Sequence, residues 1–192
     1  MNKTLMGKVA LVTGGSRSLG AAIAKRLATD GAVVALTYSA SPDKAGEVVR
    51  AIEATGSKAL AVRADAGDAA AVKAGVAETV KVFGRLDILV NNAGVVIMKS
   101  VDALTLDDFD RIVALNVKGL FVATQEALRY MGEGGRIINI GSINSDYVPY
   151  SGGSLYAMTE AAVAGLTKGL ARDRGPRGIT VHNVQPGPTI PI

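Results

Sequence analysis

The chain has 192 residues, 48% of them hydrophobic and 20% charged, and its 21 basic and 17 acidic residues leave a net charge of +4. This is enough for one domain with a sizeable core; the basic residues never form a run, aromatics are only 4% and tryptophan is absent, which argues against a nucleic-acid surface. With no cysteine and one histidine, His182, the sequence excludes a disulfide framework, a thiolate nucleophile, a cysteine-based zinc site and a multi-histidine metal cluster.

In chain order, Val9–Val12 is an apolar β-type run that meets a glycine-containing turn from Thr13 to Gly20. The turn opens directly into the alanine-rich pattern of a first helix, Ser18–Asp30, stopped at Gly31. Strand, tight turn and helix make an anion-binding arrangement, because the unpaired N–H groups of the helix start and the positive end of its dipole favour a group such as a pyrophosphate. Arg17 stands where the standard GxGxxG fingerprint has its second glycine.

Ala32–Tyr38 is a continuous apolar run, the kind of strand buried on both faces of a parallel sheet. A second helix is expected from Pro42 to Thr55, with proline in its first turn and Gly56 beyond its end. Lys58–Val62 is the third strand, Asp68–Phe83 the third helix, ended by Gly84, and Leu86–Val90 the fourth strand. Thr105 to Asp108 reads as a capped helix start, and the apolar pattern then runs unbroken to Met131. Arg136–Ile140 follows as a strand, Ser151–Arg174 as a long helix and Ile179–Val184 as a sixth strand.

Regular alternation of strand and helix predicts an α/β fold with a doubly wound parallel sheet, organised as a single domain over residues 1–192. No apolar run reaches the ~18–20 residues of a membrane span and no signal-peptide pattern opens the chain, so a cytoplasmic protein is expected. Ligands in such sheets bind outside the carboxyl ends of the strands. Polar residues stand there: Asp65 after the third strand, Asn91-Asn92-Ala93-Gly94 after the fourth, Ser142 after the fifth and Pro186-Gly187 after the sixth. Each alone is ordinary turn chemistry; their joint placement marks a site.

Taken in order, the motifs resemble those of the classical short-chain dehydrogenases/reductases, and most of all the 3-oxoacyl-carrier-protein reductase-like branch. They are Thr13, Gly14 and Gly20 of a TGxxxGxG turn with Ser18 in place of the middle glycine, NNAG at Asn91–Gly94, LNVKG with Asn116, INIGS ending in Ser142, Tyr156, and Pro186-Gly187. The similarity spans Gly7 to Thr189. It implies a Rossmann-like sheet and three catalytic roles: Tyr156 as acid/base, Ser142 polarising a carbonyl and Asn116 supporting a water relay. It also implies cofactor contacts from Gly14, Ser16, Arg17, Ser18, Leu19, Gly20, Tyr38 and Ser39. Asp65 with Ala66 is expected at the adenine, Asn91 with Ala93 and Gly94 near the cofactor ribose, and Pro186, Gly187 and Thr189 toward the carboxamide end. A homodimer or homotetramer is expected by the same resemblance, joined through the helices at Thr105–Met131 and Ser151–Arg174.

Two departures matter. The family pattern is YxxxK, but Glu160 holds the lysine position, one helical turn from Tyr156 on the same face. The lysine binds the nicotinamide ribose and lowers the tyrosine pKa; a glutamate can keep the first role and reverses the second. Unit charges ~4 Å apart at an effective dielectric near 20 interact by about 4 kcal/mol, enough to raise the phenol pKa by several units if Glu160 is ionised. A protonated Glu160 instead can pass a proton through the ribose hydroxyl to Tyr156. Carbonyl reduction is therefore expected to survive and alcohol oxidation to suffer. The second departure is that the family's C-terminal helix and seventh strand are lacking, since the sequence stops at Ile192; a genuine short form and a longer chain given only in part both remain open.

An NAD-type site places a carboxylate at the end of the second strand, where this chain reads Leu36-Thr37-Tyr38-Ser39-Ala40-Ser41. Arg17 can meet a 2′-phosphate, with hydroxyls of Thr37, Ser39 and Ser41 adding hydrogen bonds, which favours NADP(H) over NAD(H). The expected function is NADPH-dependent reduction of a ketone to a secondary alcohol. The alternative is a non-catalytic or regulatory NADP(H)-binding protein, suggested by Glu160, Ser18 and the short C-terminus.

Overall fold

In the computed structural model, which describes residues 4–189, β1 (Val9–Val12) is the centre of the sheet. β2 (Val33–Tyr38) pairs with it on one side and β4 (Ile88–Asn91) on the other, both parallel to it. β3 (Ala59–Arg63) extends the sheet beyond β2, while β5 (Arg136–Ile140) and β6 (Thr180–Val184) extend it beyond β4. The order is β3-β2-β1-β4-β5-β6. The chain winds outward through β3 and then returns to start again at β4, so the connections leave β1 and β4 in opposite directions. That reversal opens a crevice at the carboxyl ends of β1 and β4.

The apolar residues of β1 are buried on both faces. Leu11 points into a core with Leu89, Ile137 and Val181, covered by α3 (Ala69–Phe83), α5 (Leu120–Ala127) and α6 (Ser154–Arg174). Its neighbours Ala10 and Val12 point the other way, into a core with Val34, Leu36 and Val90 under α1 (Ser18–Thr29) and α2 (Pro42–Glu53). A fully buried leucine such as Leu11 or Leu36 contributes roughly 1.5–3 kcal/mol.

The ends of the elements follow local chemistry. Asp68 caps α3, accepting from the N–H groups of Ala70 at 2.8 Å and Ala71 at 3.3 Å, so the helix proper begins one residue later than the sequence pattern suggests. Gly84, at φ +80°, ends it in the left-handed conformation that only glycine adopts without strain. α2 stops at Glu53 rather than Thr55, because the N–H groups of Thr55 and Gly56 reach back three residues to Ile52 and Glu53 and tighten the last turn.

Two larger differences concern the long helices. The pattern from Thr105 to Met131 is not one regular helix: α4 (Leu106–Val113), capped by Thr105 and Asp108, passes into a π-helical segment at Ala114–Gly119 and then into α5. Gly119 packs so closely on β3's following loop that a Cβ there would stand 2.1 Å from the Ala66 carbonyl oxygen. The widened turn also carries Asn116 inward. α6 begins at Ser154 and not Ser151, since Gly152, at φ +82°, holds a turn whose carbonyl accepts from the Lys99 N–H at 3.1 Å.

Candidate active site

The glycine turn is held open by clips from neighbouring strands. The Thr13 hydroxyl accepts from the N–H groups of Asn92 and Ala93 at 3.0 and 3.1 Å, and the Asn92 amide donates back to the carbonyls of Thr13 and Gly14 at 3.0 and 3.2 Å. Thr37 accepts from the Gly14 N–H at 3.1 Å. Gly14 sits at φ +65°, and a Cβ on Gly20 would lie 2.5 Å from both Asn92 Nδ2 and the Gly14 carbonyl oxygen, so both positions need glycine. Ser18 adopts φ +45°, the one non-glycine left-handed residue among those described. The first turn of α1 has no capping side chain and no acidic residue, leaving its N–H groups directed at the crevice.

A cleft of about 340 Å³ lies over this turn. Of the residues singled out from sequence, Gly14, Ser16, Arg17, Ser18, Leu19 and Gly20 line its floor. Tyr38, Ser39, Asp65 and Ala66 line one side, and Ala93 with Gly94 the other. No carboxylate stands at the end of β2, and Arg17, which is exposed, lines the same cleft as Ser39 and Ser41. An uncapped helix start, glycine where main chain must come close, and a cation at the rim fit a phosphorylated dinucleotide. Asn92, Thr37, Val95 and Leu115 also line the cleft. Of these only Thr37 stands out in the sequence; Asn92 is marked by no more than its place in the NNAG run, and Leu115 by nothing local.

Asn91 is placed differently from its neighbours. It is the last residue of β4 and still alternates into the sheet, 3% exposed. Its Nδ2 donates to Thr124 Oγ1 at 3.0 Å and to Asn139 Oδ1 at 2.9 Å, and Asn139 donates in turn to Thr167 Oγ1 at 2.8 Å. This ladder ties β4 and β5 to α5 and α6, while the Asn91 Oδ1 is buried without a partner. The side chain thus points below the crevice, and Asn92 to Gly94 form its wall.

At the carboxyl ends of β5 and β6 lies a second group of residues. Ser142 is buried at the start of a short 3₁₀ turn; its hydroxyl donates to Asn144 Oδ1 at 3.1 Å and accepts from the Asn144 N–H at 3.2 Å. Tyr156, in the first turn of α6, has its phenol held above its usual pKa, first by burial and then by the charge of Glu160, with the Ser142 hydroxyl opposing the rise. Glu160 is 5% exposed, and burial pushes its carboxyl up to about 7. Asn116 hydrogen-bonds Val95 through both its amide atoms, at 2.8 and 2.9 Å, and donates to Thr159 Oγ1 at 3.1 Å. Its side chain therefore fastens the loop after β4 to α6.

Pro186 is drawn beside the Ser142 turn by a bond from the Ile143 N–H to its carbonyl at 3.2 Å, and Gly187 lies against Ile143. Thr189 is exposed and makes no hydrogen bond to these residues among those described. Gln185, unmarked by any sequence pattern, donates to Ser145 Oγ, to Asp146 Oδ2 at 3.1 Å and to the Ser142 carbonyl at 3.4 Å, bracing the turn that carries the serine. Among the described residues no cluster of three or more acids or histidines is arranged to hold a metal, and no helix is long and apolar enough to cross a membrane.

The chain matches the short chain dehydrogenase family over residues 8–190 and belongs to it. It is 46% identical over 182 residues to the cyclic-di-GMP-binding biofilm dispersal mediator protein of Escherichia coli, covering 95% of this chain and 73% of that protein. Versicolorin reductase 1 of Aspergillus parasiticus is 41% identical over 186 residues, covering 97% of this chain and 71% of the other. A short chain dehydrogenase from Burkholderia cenocepacia, solved in complex with NADP, superposes with a TM-score of 0.96 at 56% identity, covering 97% of this chain and 76% of that one.

Proposed function

We propose that this short-chain oxidoreductase uses NADPH to reduce a ketone to a secondary alcohol, with Tyr156 as proton donor and Ser142 polarising the carbonyl. The observation that carries the reading is the union of two things at the carboxyl ends of the strands: an uncapped, glycine-lined anion cleft, and a buried Ser142 whose hydroxyl acts on the phenol of Tyr156. When bound, the nicotinamide cofactor supplies the hydride. Everything else falls to side chains of this chain. Arg17, which shares the cleft with Ser39 and Ser41, takes the 2′-phosphate that distinguishes NADP(H), and the absence of a carboxylate at the end of β2 removes the usual ligand of an NAD ribose. The relative from Burkholderia cenocepacia, bound to NADP, supports the same choice.

The phenol of Tyr156 is kept protonated at neutral pH, the state a reductase needs, and gives its proton to the developing alkoxide. Ser142 donates to the same oxygen as charge builds on it, after turning its hydroxyl from Asn144. Glu160, neutral below about pH 7, hydrogen-bonds the ribose and acts as the proton reserve behind Tyr156. Reductase names among the relatives agree with this direction of reaction.

The test is NADPH oxidation across aryl, cyclic and 3-oxoacyl ketones, with a Tyr156→Phe variant beside the wild type. Turnover that falls by about a hundredfold or more in the variant, with cofactor binding retained, is the expected result. A second reading, a dinucleotide-binding protein with little turnover, is favoured by Glu160 and by the E. coli relative named for binding cyclic-di-GMP. Cofactor binding without turnover on any ketone selects it.

A further inference from the structure

Among the described residues three carboxylic side chains are buried: Asp87, Glu126 and Glu160. Asp87 meets Arg85 and Lys8, and the Val9 N–H donates to it. Glu126 accepts from Arg129 and Tyr130. Glu160, at 5% exposure, has neither an ion pair nor a side-chain hydrogen bond among the described residues. A buried carboxylate without a counter-charge is costly, and it persists where a ligand completes it.

The surroundings narrow what that ligand carries. Glu160 lies one turn beyond Tyr156 on the same face of α6, close enough for its charge to act on the phenol. It therefore belongs with the Tyr156 and Ser142 group and not with Arg17 and the phosphate cradle, and none of the cations around α6 pairs with it. Lys99 is taken by Asp108 at 2.7 Å, and Arg177 by the carbonyls of Leu128 and Met131. Lys118 on the π segment, Asp107, Asp110 and Arg111 on α4, and His182 on β6 are exposed. Asp146, after the Ser142 turn, is exposed and bonded to Gln185.

We propose that Glu160 makes the site discriminate between the two charge states of the nicotinamide ring, holding the cationic, oxidised form more tightly than the neutral, reduced form. This rests on the NADP(H) reading above. The oxidised ring is a delocalised cation, and it is the charge that this half of the crevice otherwise lacks. A lysine in the same place repels that cation; a glutamate attracts it. The attraction exists only while Glu160 is ionised, so the preference for NADP⁺ grows as pH rises through 7. Tyr156, held above its usual range, stays protonated across that interval and does not blur the effect.

The experiment is equilibrium binding of NADP⁺ and NADPH, each measured near pH 6 and near pH 8.5, to the wild type, Glu160→Gln and Glu160→Lys. Binding of 2′,5′-ADP, which lacks the nicotinamide, is measured in parallel. The ratio of NADP⁺ to NADPH affinity is expected to rise about tenfold between the two pH values in the wild type, to stay flat in the glutamine variant and to fall below the wild-type ratio in the lysine variant. A ratio that is the same in the wild type and Glu160→Gln at both pH values, with 2′,5′-ADP bound normally, overturns the proposal and leaves the cofactor reading intact. Failure of 2′,5′-ADP and both cofactors to bind the wild type overturns the cofactor reading and the proposal with it. Should the lysine variant fail to fold, the comparison of wild type with the glutamine variant decides alone.

Discussion

Replacing Glu160 by glutamine changes stability with a sign and a pH window that follow from one buried group. In the folded chain its carboxyl titrates near 7 instead of at 4.5, because burial penalises the charged form. Below about pH 4.5 both folded and unfolded chains hold the proton, and the group adds nothing to the pH dependence. Between that point and pH 7 the unfolded chain ionises while the folded chain keeps its proton, so stability falls as pH rises; above 7 the penalty is constant. At about 1.36 kcal/mol for each tenfold change in acidity, the separation from 4.5 to about 7 amounts to about 3 kcal/mol. Glutamine has the same shape and no charge to bury. Glu160→Gln is thus expected to match the wild type near pH 4.5 and to exceed it by about 3 kcal/mol near pH 8 in urea unfolding. The other ionisable groups are shared by both chains and cancel in the difference. A gain of equal size at both pH values, or a glutamine variant weaker than the wild type at pH 8, refutes the reasoning, since either means that the carboxylate is already compensated in the fold.

Ser18 at φ +45° carries the cost of a left-handed residue that is not glycine, about 1 kcal/mol, so Ser18→Gly is expected to raise the melting temperature; an unchanged or lower value shows that the hydroxyl offsets the strain. Gly119→Ala is expected to destabilise by about 3 kcal/mol or more in urea unfolding, because the Ala66 carbonyl in its way is main chain; near wild-type stability would mean that the π segment yields easily. Arg17→Ala is expected to weaken NADPH binding about tenfold or more and to leave NADH nearly unaffected, and an equal loss for both would remove Arg17 from the 2′-phosphate.

The parts of this molecule that could be read from sequence are those set by local chemistry. Gly31, Gly56 and Gly84 follow the ends of helices, where a positive φ takes the chain out of the helical path, and Thr105 with Asp108 caps α4 through a bond spanning three residues. The glycine turn is local too, and its residues line the cleft as their spacing suggests. What escaped depends on distant partners. The π-helical segment at Ala114–Gly119 packs on the loop around Ala66, and its one local mark is Gly119, a residue that helical patterns also tolerate. Gln185 braces Ser142 across 43 residues of sequence. The pair Asn91-Asn92 turns on a single step of strand alternation: the first amide points into the sheet and the second clips the glycine turn, and only the end point of β4 decides which is which.

The two halves of the crevice meet different physical demands, and that separates what is retained from what is altered. The turn half must present main-chain N–H groups to an anion, a demand on backbone space that Gly14 and Gly20 satisfy even with Ser18 strained between them. The reaction half must set the protonation of a phenol, a demand on charge, and there Glu160 reverses the sign expected of the family. The consequences of that reversal point in one direction. Burial and the neighbouring carboxyl both hold Tyr156 in its protonated form, and burial holds Glu160 protonated until about pH 7. Raising the pH to create a phenolate first ionises Glu160, which moves the phenol further out of reach. Under the proposed reductase reading, these two groups keep in place the proton that a carbonyl needs and resist forming the phenolate base that alcohol oxidation requires.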